Sequence, residues 1–333
     1  MDTTNAWSDV WAQIVPKFGQ IIFSVALFAA VLIVAFWIAS KARGVAERPT
    51  VITLMLGPAV VLVTIGLVIP GLQTILFSFR DPYGTTFVGL KNFGWAFTDP
   101  GMRQTLTNTV LWIVLAPVLS TGLGLLLAVL VDRIKHEALA KALIFMPMAI
   151  SFVGASVVWK FVYAYDSPEN PQIGLLEQIV MAFGVKDPPN WILTTPLNTF
   201  LLMVIYIWVQ TGFSMVVLSA AIKAVPMDIN EAASLDGATG GTLFRTITMP
   251  MVRGTFVVVL TTAMVATLKL FDIVRTMTGG NFGTSVLANE MYCQTFVQFN
   301  SGHGAALAVI LFIGVAPMIW YNVRSLRKER TIR

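Results

Sequence analysis

Six stretches of this sequence run without a charged side chain for 18 residues or more: Phe18–Ser40, Pro49–Phe79, Gln104–Val131, Ala142–Trp159, Asn190–Ile222 and Gly304–Val323. A hydrocarbon core needs about 20 apolar residues in a helix to cross it. Lipid offers no partner to a free sheet edge, so such runs fold as helices. Only 12% of the 333 residues are charged, against about 25% in soluble domains. The fold class is therefore all-α, a polytopic bundle whose solvent is lipid. A seventh segment, Gly254–Leu268, is free of charge for 15 residues and continues apolar to Val274, broken by Lys269 and Asp272. It is read as a span with a polar end.

The placement of Lys and Arg predicts orientation, because positive charge collects on the cytoplasmic side. With the carboxyl terminus inside, segments 41–50, 132–141, 221–254 and 324–333 hold 3, 3, 3 and 5 of them, 14 in all. The opposite segments, 1–17, 80–104, 165–197 and 276–302, hold 1, 3, 1 and 0. Seven spans then place the amino terminus outside. Residues 1–50 read as an extra span with a cytoplasmic link, 51–325 as the core, and 326–333 as a basic tail at anionic headgroups. The first residues carry Asp2 and Asp9 and no positive charge, and the first apolar run exceeds a cleavable signal core. It is read as a retained span. The net charge of +5 sits at the ends of apolar runs and indicates no nucleic-acid partner. One cysteine, Cys293, excludes an internal disulfide. His136 and His303 read as interfacial groups, and no metal site is expected. Prolines 58, 70, 117, 147 and 317 fall inside the runs as ordinary kinks.

One loop, Lys223 to Pro250, is too patterned for a plain connector. Asp228 followed by Glu231 fits a capping box, which predicts a short helix from Ile229 to about Leu235. Gly237 suits a left-handed helix end. Thr242 is placed to cap a second short helix through Ile247, and Pro250 starts the next span. Helices this short persist when docked. Ala232 and Ala233 permit close approach, Ile229, Leu235 and Phe244 offer apolar contact, and Glu231 offers a directed charge. The pattern suits recognition of a helix in a partner's groove.

Glu231-Ala-Ala, Asp236-Gly-Ala, Phe244, Ile247 and Pro250 resemble the EAA loop of ABC importer permeases, with Gly237, Ile247 and Pro250 at that family's spacing. Further segments resemble the carbohydrate-uptake, maltose-type branch: Phe87–Phe93, Pro147–Ser151, Val158-Trp159, Phe271–Val274 with Met277–Gly280, and Gly302–Ala308. The family usually continues Gly-Gly-Pro where this chain has Gly280-Asn281-Phe282, and the span Phe18–Ser40 is extra to its six-helix core.

The resemblance implies a type I importer permease core of six spans plus that extra one, in a bacterial inner membrane. It implies an ATPase-coupling set of Asp228, Glu231, Ala232, Ala233, Asp236, Gly237, Phe244, Ile247 and Pro250. The implied partners are a pair of ABC ATPase subunits, a second and related permease chain, and an extracytoplasmic solute-binding protein. ATP and Mg²⁺ would sit on the ATPase subunits. This chain has no phosphate-cradling Gly-rich loop and is expected to hold no cofactor and perform no catalysis.

Sugar paths need hydrogen-bonding side chains beside flat apolar faces. Tyr206, Gln210 and Phe213 share one helical stripe, and Thr267 lies on the following span; these are the candidate path residues. Lys269, Asp272 and Arg275, three apart, read as a structural triad at the outer headgroups. The competing functions are import of another small solute by the same machinery, or an ion-gradient-driven transporter.

Overall fold

The structure, a computed structural model, describes residues 18–20, 22–23, 26, 29–30, 33–34, 37, 47–132, 134–166, 170, 173–185 and 188–331. Its contacts form two units, Met1–Gln73 and Thr74–Arg333. In the first, the described residues between Phe18 and Trp37 are helical; the rest of that expected span lies outside the described residues. Helix α1 (Glu47–Val63) passes through a π turn at Thr64–Val68 into α2 (Ile69–Phe77). The wide turn has a local cause. Pro70 would clash with the carbonyl four residues earlier, and bonding Ile69 N–H to the Thr64 oxygen opens the helix there.

The second unit takes in the end of α2, then a short loop and α3 (Lys91–Thr98). Asp81 folds the loop by accepting from Thr85 N–H (2.6 Å), Thr86 N–H (3.1 Å) and the Thr85 hydroxyl (2.8 Å). Those bonds, the Thr85 hydroxyl's foremost, hold its carboxyl below the usual range. Helix α4 (Pro100–Val131) opens with Asp99 accepting from Met102 N–H at 3.0 Å and Pro100 in the first turn. Its 32 residues span about 48 Å, longer than the roughly 30 Å hydrocarbon core. Its buried stripe includes Thr109, Ala116, Ser120, Gly124 and Ala128, the small residues that let membrane helices approach closely.

Ala142–Trp159, expected as one span with an ordinary kink at Pro147, is a sharply bent pair. Helix α5 (Glu137–Phe145) and helix α6 (Phe152–Val162) meet at 99° across a 3₁₀ turn, Met146–Ala149. Met146, before Pro147, keeps helical angles, and the break comes four residues later. Ile150 is extended, and Ser151 then starts α6 by accepting from Gly154 N–H at 3.1 Å. A short helix, α7 (Leu175–Ala182), precedes the central helix α8 (Leu197–Lys223).

Helix α9 (Met227–Leu235) leads to α10 (Gly240–Leu268). Then come α11 (Asp272–Met277), α12 (Leu287–Tyr292) with a π turn at Cys293–Val297, and α13 (Ser301–Thr331). Among the described residues, five helices are long and apolar enough to cross a membrane, and the bent pair counted as one span makes six.

Lys269, Asp272 and Arg275 do not share a helix as expected. The span stops at Leu268 and a new helix starts at Asp272. Arg275 turns to the Tyr292 ring, 4.9 Å from its centroid, and to the Cys293 sulfur at 3.5 Å. Among the described residues the salt bridges lie elsewhere.

The segment 278–286 is threaded between α4 and α8 by amides. Asn108 donates to the Gly283 and Ser285 carbonyls (2.6 and 3.0 Å), and Asn198 to Phe282 (2.9 Å). Thr109 accepts from Leu287 N–H at 2.8 Å. Two family-like motifs, 215 residues apart at Phe87 and Gly302, meet at the Arg80 carbonyl. Asn92 donates to the Ser78 and Arg80 carbonyls, and a Cβ on Gly302 would stand 2.4 Å from that Arg80 oxygen.

Candidate functional site

The candidate site is α9 and the turns on either side of it. Helix α8 ends at Lys223, and Pro226, extended at φ −57° and ψ 136°, starts α9 at Met227. The helix thus begins two residues before the expected Ile229. The capping box is not formed: Pro226 holds the N-cap position and no side chain bonds across it. Asp228 falls inside the first turn, where a negative charge opposes the helix dipole.

The other end follows expectation. Gly237 sits at φ +87°. Gly237 N–H reaches the Ser234 carbonyl (3.1 Å), and Ala238 N–H reaches Ala233 (2.9 Å). That is the pair of reversed bonds of a Schellman turn, which needs a left-handed residue where glycine serves at no steric cost.

Thr242 caps no second short helix. Thr239 holds the N-cap position, and the helix from Gly240 continues to Leu268. A π turn at Phe244–Thr248 brings Met249 N–H onto the Phe244 oxygen. Pro250, whose ring crowds the carbonyl four residues back, accounts for it as Pro70 does for the first π turn.

Met227, Glu231 and Leu235 stand four apart, on one stripe of α9. Met227 is 73% exposed and Leu235 90%, with Asp228, Glu231, Ala232, Asp236 and Gly237 also exposed. Ala233, Phe244 and Ile247 are half-buried, and Pro250 is exposed. The helix thus presents two large apolar side chains around a carboxylate. Met227 was absent from the sequence-based set; its four-residue spacing from Glu231 was the available signal.

An ion cluster braces the root of this element. Lys141 on α5 contacts Asp132 at 2.7 Å and Glu137 at 2.6 Å, and also bonds the Ser219 hydroxyl. Ser219 donates to Asp132 at 2.8 Å, and Lys223 closes the cluster on Glu137. Lys223 lies four residues before Met227, so the end of α4, the start of α5 and the end of α8 are tied where α9 begins. Asp132 and Lys141 are 15% and 18% exposed, so breaking that pair strands a charge in a poorly solvated place. Lys141→Met is expected to cost about 1–3 kcal/mol. Adding Asp132→Asn should cost less than the two single losses together. Heat-induced aggregation of the detergent-solubilised chain measures both.

The path candidates are placed as follows. Tyr206 is fully buried, stacked on Phe152 (5.7 Å) and edge-on to Trp112 (6.3 Å), and donates to the Ala263 carbonyl at 3.2 Å. Thr267 is buried and bonds the carbonyls of Ala263 (3.1 Å) and Met264 (2.9 Å) on its own helix. Both spend their hydroxyls on the backbone of α10. Gln210 and Phe213 are half-buried further along α8.

Residues 120–328 match the family described as binding-protein-dependent transport system inner membrane component. The chain is 48% identical over 276 residues to the osmoprotective compounds uptake permease protein GgtC of Synechocystis, covering 83% of this chain and 99% of that protein. It is 47% identical over 277 residues to the alpha-glucoside transport system permease protein AglF of Rhizobium meliloti, covering 83% and 82%. A solved chain of a bacterial ABC transporter involved in the import of the acidic polysaccharide alginate superposes with a TM-score of 0.73. That match covers 84% of this chain and 96% of the other at 19% identity, a likeness of fold. Motif, bundle and relatives agree: the chain belongs to the family of binding-protein-dependent transport system inner membrane components.

Proposed function

We propose that this chain is the membrane permease of an ATP-driven importer of α-glucosides or similar neutral glycosides, and that α9 is its coupling helix. The observation that carries the coupling role is the exposed stripe of α9 within a Glu-Ala-Ala motif, held by a glycine turn at one end and by the ion cluster at the other. The solute class rests on likeness to an α-glucoside permease at 47% identity.

In this reading α9 faces the cytoplasm, as the Lys and Arg bias requires, and the carboxyl terminus lies on the same side of a bacterial inner membrane. A pair of ATPase subunits carries ATP and Mg²⁺ and receives α9 in a cleft. A second, related permease completes the path, and a solute-binding protein delivers cargo at the opposite end. ATP binding closes the ATPase pair, which moves α9 and with it α8 and α10. The bundle then exchanges between two packed states rather than performing chemistry.

Purification through a tag on this chain, followed by uptake of radiolabelled maltose and methyl α-glucoside in cells, tests the reading. An ATPase subunit should co-purify, and uptake should survive an uncoupler while ATP remains and stop when ATP is depleted. Loss of uptake to the uncoupler with ATP intact would overturn it in favour of ion-gradient drive.

A further inference from the structure

A cavity lies at the opposite end of the bundle from α9. About 420 Å³ of open space is lined by Trp95 of α3, Asp99 and Gln104 at the start of α4, Ser285, and Glu290 and Gln294 at α12 and its π turn. This volume falls within the roughly 300–1,000 Å³ of small-molecule sites.

The polar walls are held in place by their own bonds. Gln294 donates to Glu290 at 2.9 Å, Ser285 to the other oxygen of Glu290 at 3.4 Å, and Gln104 to the Gly283 carbonyl at 3.3 Å. Trp95 is fixed by stacking on His303, with ring centroids 3.7 Å apart and planes within 5°. Backbone shape keeps the space open. Gly283 stands at φ +72° beside Gln104, where a Cβ would come within 2.4 Å of the side-chain nitrogen.

The lining chemistry is selective. Among the described residues, two carboxylates and no Lys or Arg line the cavity, which disfavours an anionic ligand. Amides, a hydroxyl and carboxylates together both donate and accept, as a ring of sugar hydroxyls requires. The indole adds a flat apolar surface for the C–H face of a pyranose. A single side chain from a docked protein would leave most of the space unfilled.

We propose that this cavity is a subsite for a neutral glycoside at the loop end of the bundle, separate from the path residues on α8 and α10. Its place in transport, as a resting point before the path, rests on the glycoside-import reading above; its ligand chemistry rests on its own walls.

The test uses the transporter purified through the full chain in nanodiscs, without binding protein. Saturation-transfer NMR with maltose, methyl α-glucoside and glucuronate as probes reads binding directly. Maltose should show transfer and glucuronate should not. Gln104→Trp, which fills the cavity from an exposed position, should cut the maltose signal at least fivefold, and Gln104→Ala should cut it less. In cells, Gln104→Trp should raise the KM for uptake about fivefold, and Gln104→Ala should raise it less.

Equal maltose signals in wild type and Gln104→Trp would overturn the proposal, as would glucuronate binding as well as maltose. So would an unchanged maltose signal with lost stimulation of ATP hydrolysis by the binding protein, because the cavity would then seat that protein. Maltose binding that Gln104→Trp removes, in a transporter that imports no glucoside, would sustain the subsite and defeat the import reading instead.

Discussion

Glucoside uptake is expected to fall at least 30-fold in a Glu231→Lys variant, with the chain reaching the membrane at its normal level. Glu231 lies between Met227 and Leu235 on the outer stripe of α9, so reversing its charge leaves the fold of this chain untouched and changes what the helix offers a partner. A central contact in a docked interface is worth about 2 kcal/mol or more, and each 1.4 kcal/mol is tenfold in affinity. Gly237→Val reaches the same end by geometry. A Cβ there meets open space, but the residue sits at φ +87°, which a β-branched side chain does not adopt. The Schellman turn would open and α9 would lose its direction relative to α10. Both variants should lose the co-purifying ATPase subunit, measured by quantitative blotting beside uptake. Normal uptake by Glu231→Lys would remove α9 from the coupling role.

Much of this architecture is legible in the sequence because lipid imposes a coarse rule. A long charge-free run marks a helix wherever it occurs, so Gln104–Val131 and Asn190–Ile222 predict α4 and α8 to within a few residues at their carboxyl-terminal ends. The rule carries no information on direction. Ala142–Trp159 satisfies it and still bends by 99°, because extended Ile150 and the capping Ser151 act locally and leave the hydropathy unchanged. Charge spacing misleads for the converse reason. Lys269, Asp272 and Arg275 fit one helix only if that helix continues, and it stops at Leu268.

The site was legible as a motif, and its outline needed coordinates. The glycine turn could be anticipated from Gly237. The capping box could not be excluded, since Pro226 takes the N-cap position only when the chain leaves α8 as it does here. The amides Asn108 and Asn198, which pin segment 278–286, lie at the ends of apolar runs, where polar residues look like ordinary headgroup contacts. Nothing in their own neighbourhood in sequence points to a partner more than 80 residues away.

Two glycines that look alike in sequence should behave in opposite ways. Gly122 and Gly124 sit two apart on α4, in Thr121-Gly-Leu-Gly124. A Cβ added at Gly122 meets nothing within 4 Å. One added at Gly124 would stand 2.5 Å from the Ser214 Cβ and 2.9 Å from the Met215 backbone nitrogen on α8. Gly212, two residues before Ser214 on α8, faces the other way, and its Cβ would meet the Ile144 oxygen at 2.5 Å and the Phe145 Cα at 2.8 Å. Helix α8 is thus pressed between α4 and the end of α5, with backbone on both sides and no flexible side chain to yield. In a bilayer no hydrophobic force pulls these helices together, so close packing must hold them. A gap of 0.5–1 Å already forfeits about a quarter to a half of each contact's attraction. Gly124→Leu and Gly212→Leu should therefore lower the yield of monodisperse chain by more than tenfold in size-exclusion chromatography, and Gly122→Leu should match wild type. Equal loss from Gly122→Leu and Gly124→Leu would mean that α4 meets α8 on a different face. The ion cluster that braces α9 would then not assemble either, since Asp132 and Ser219 meet only when α4 and α8 hold this register.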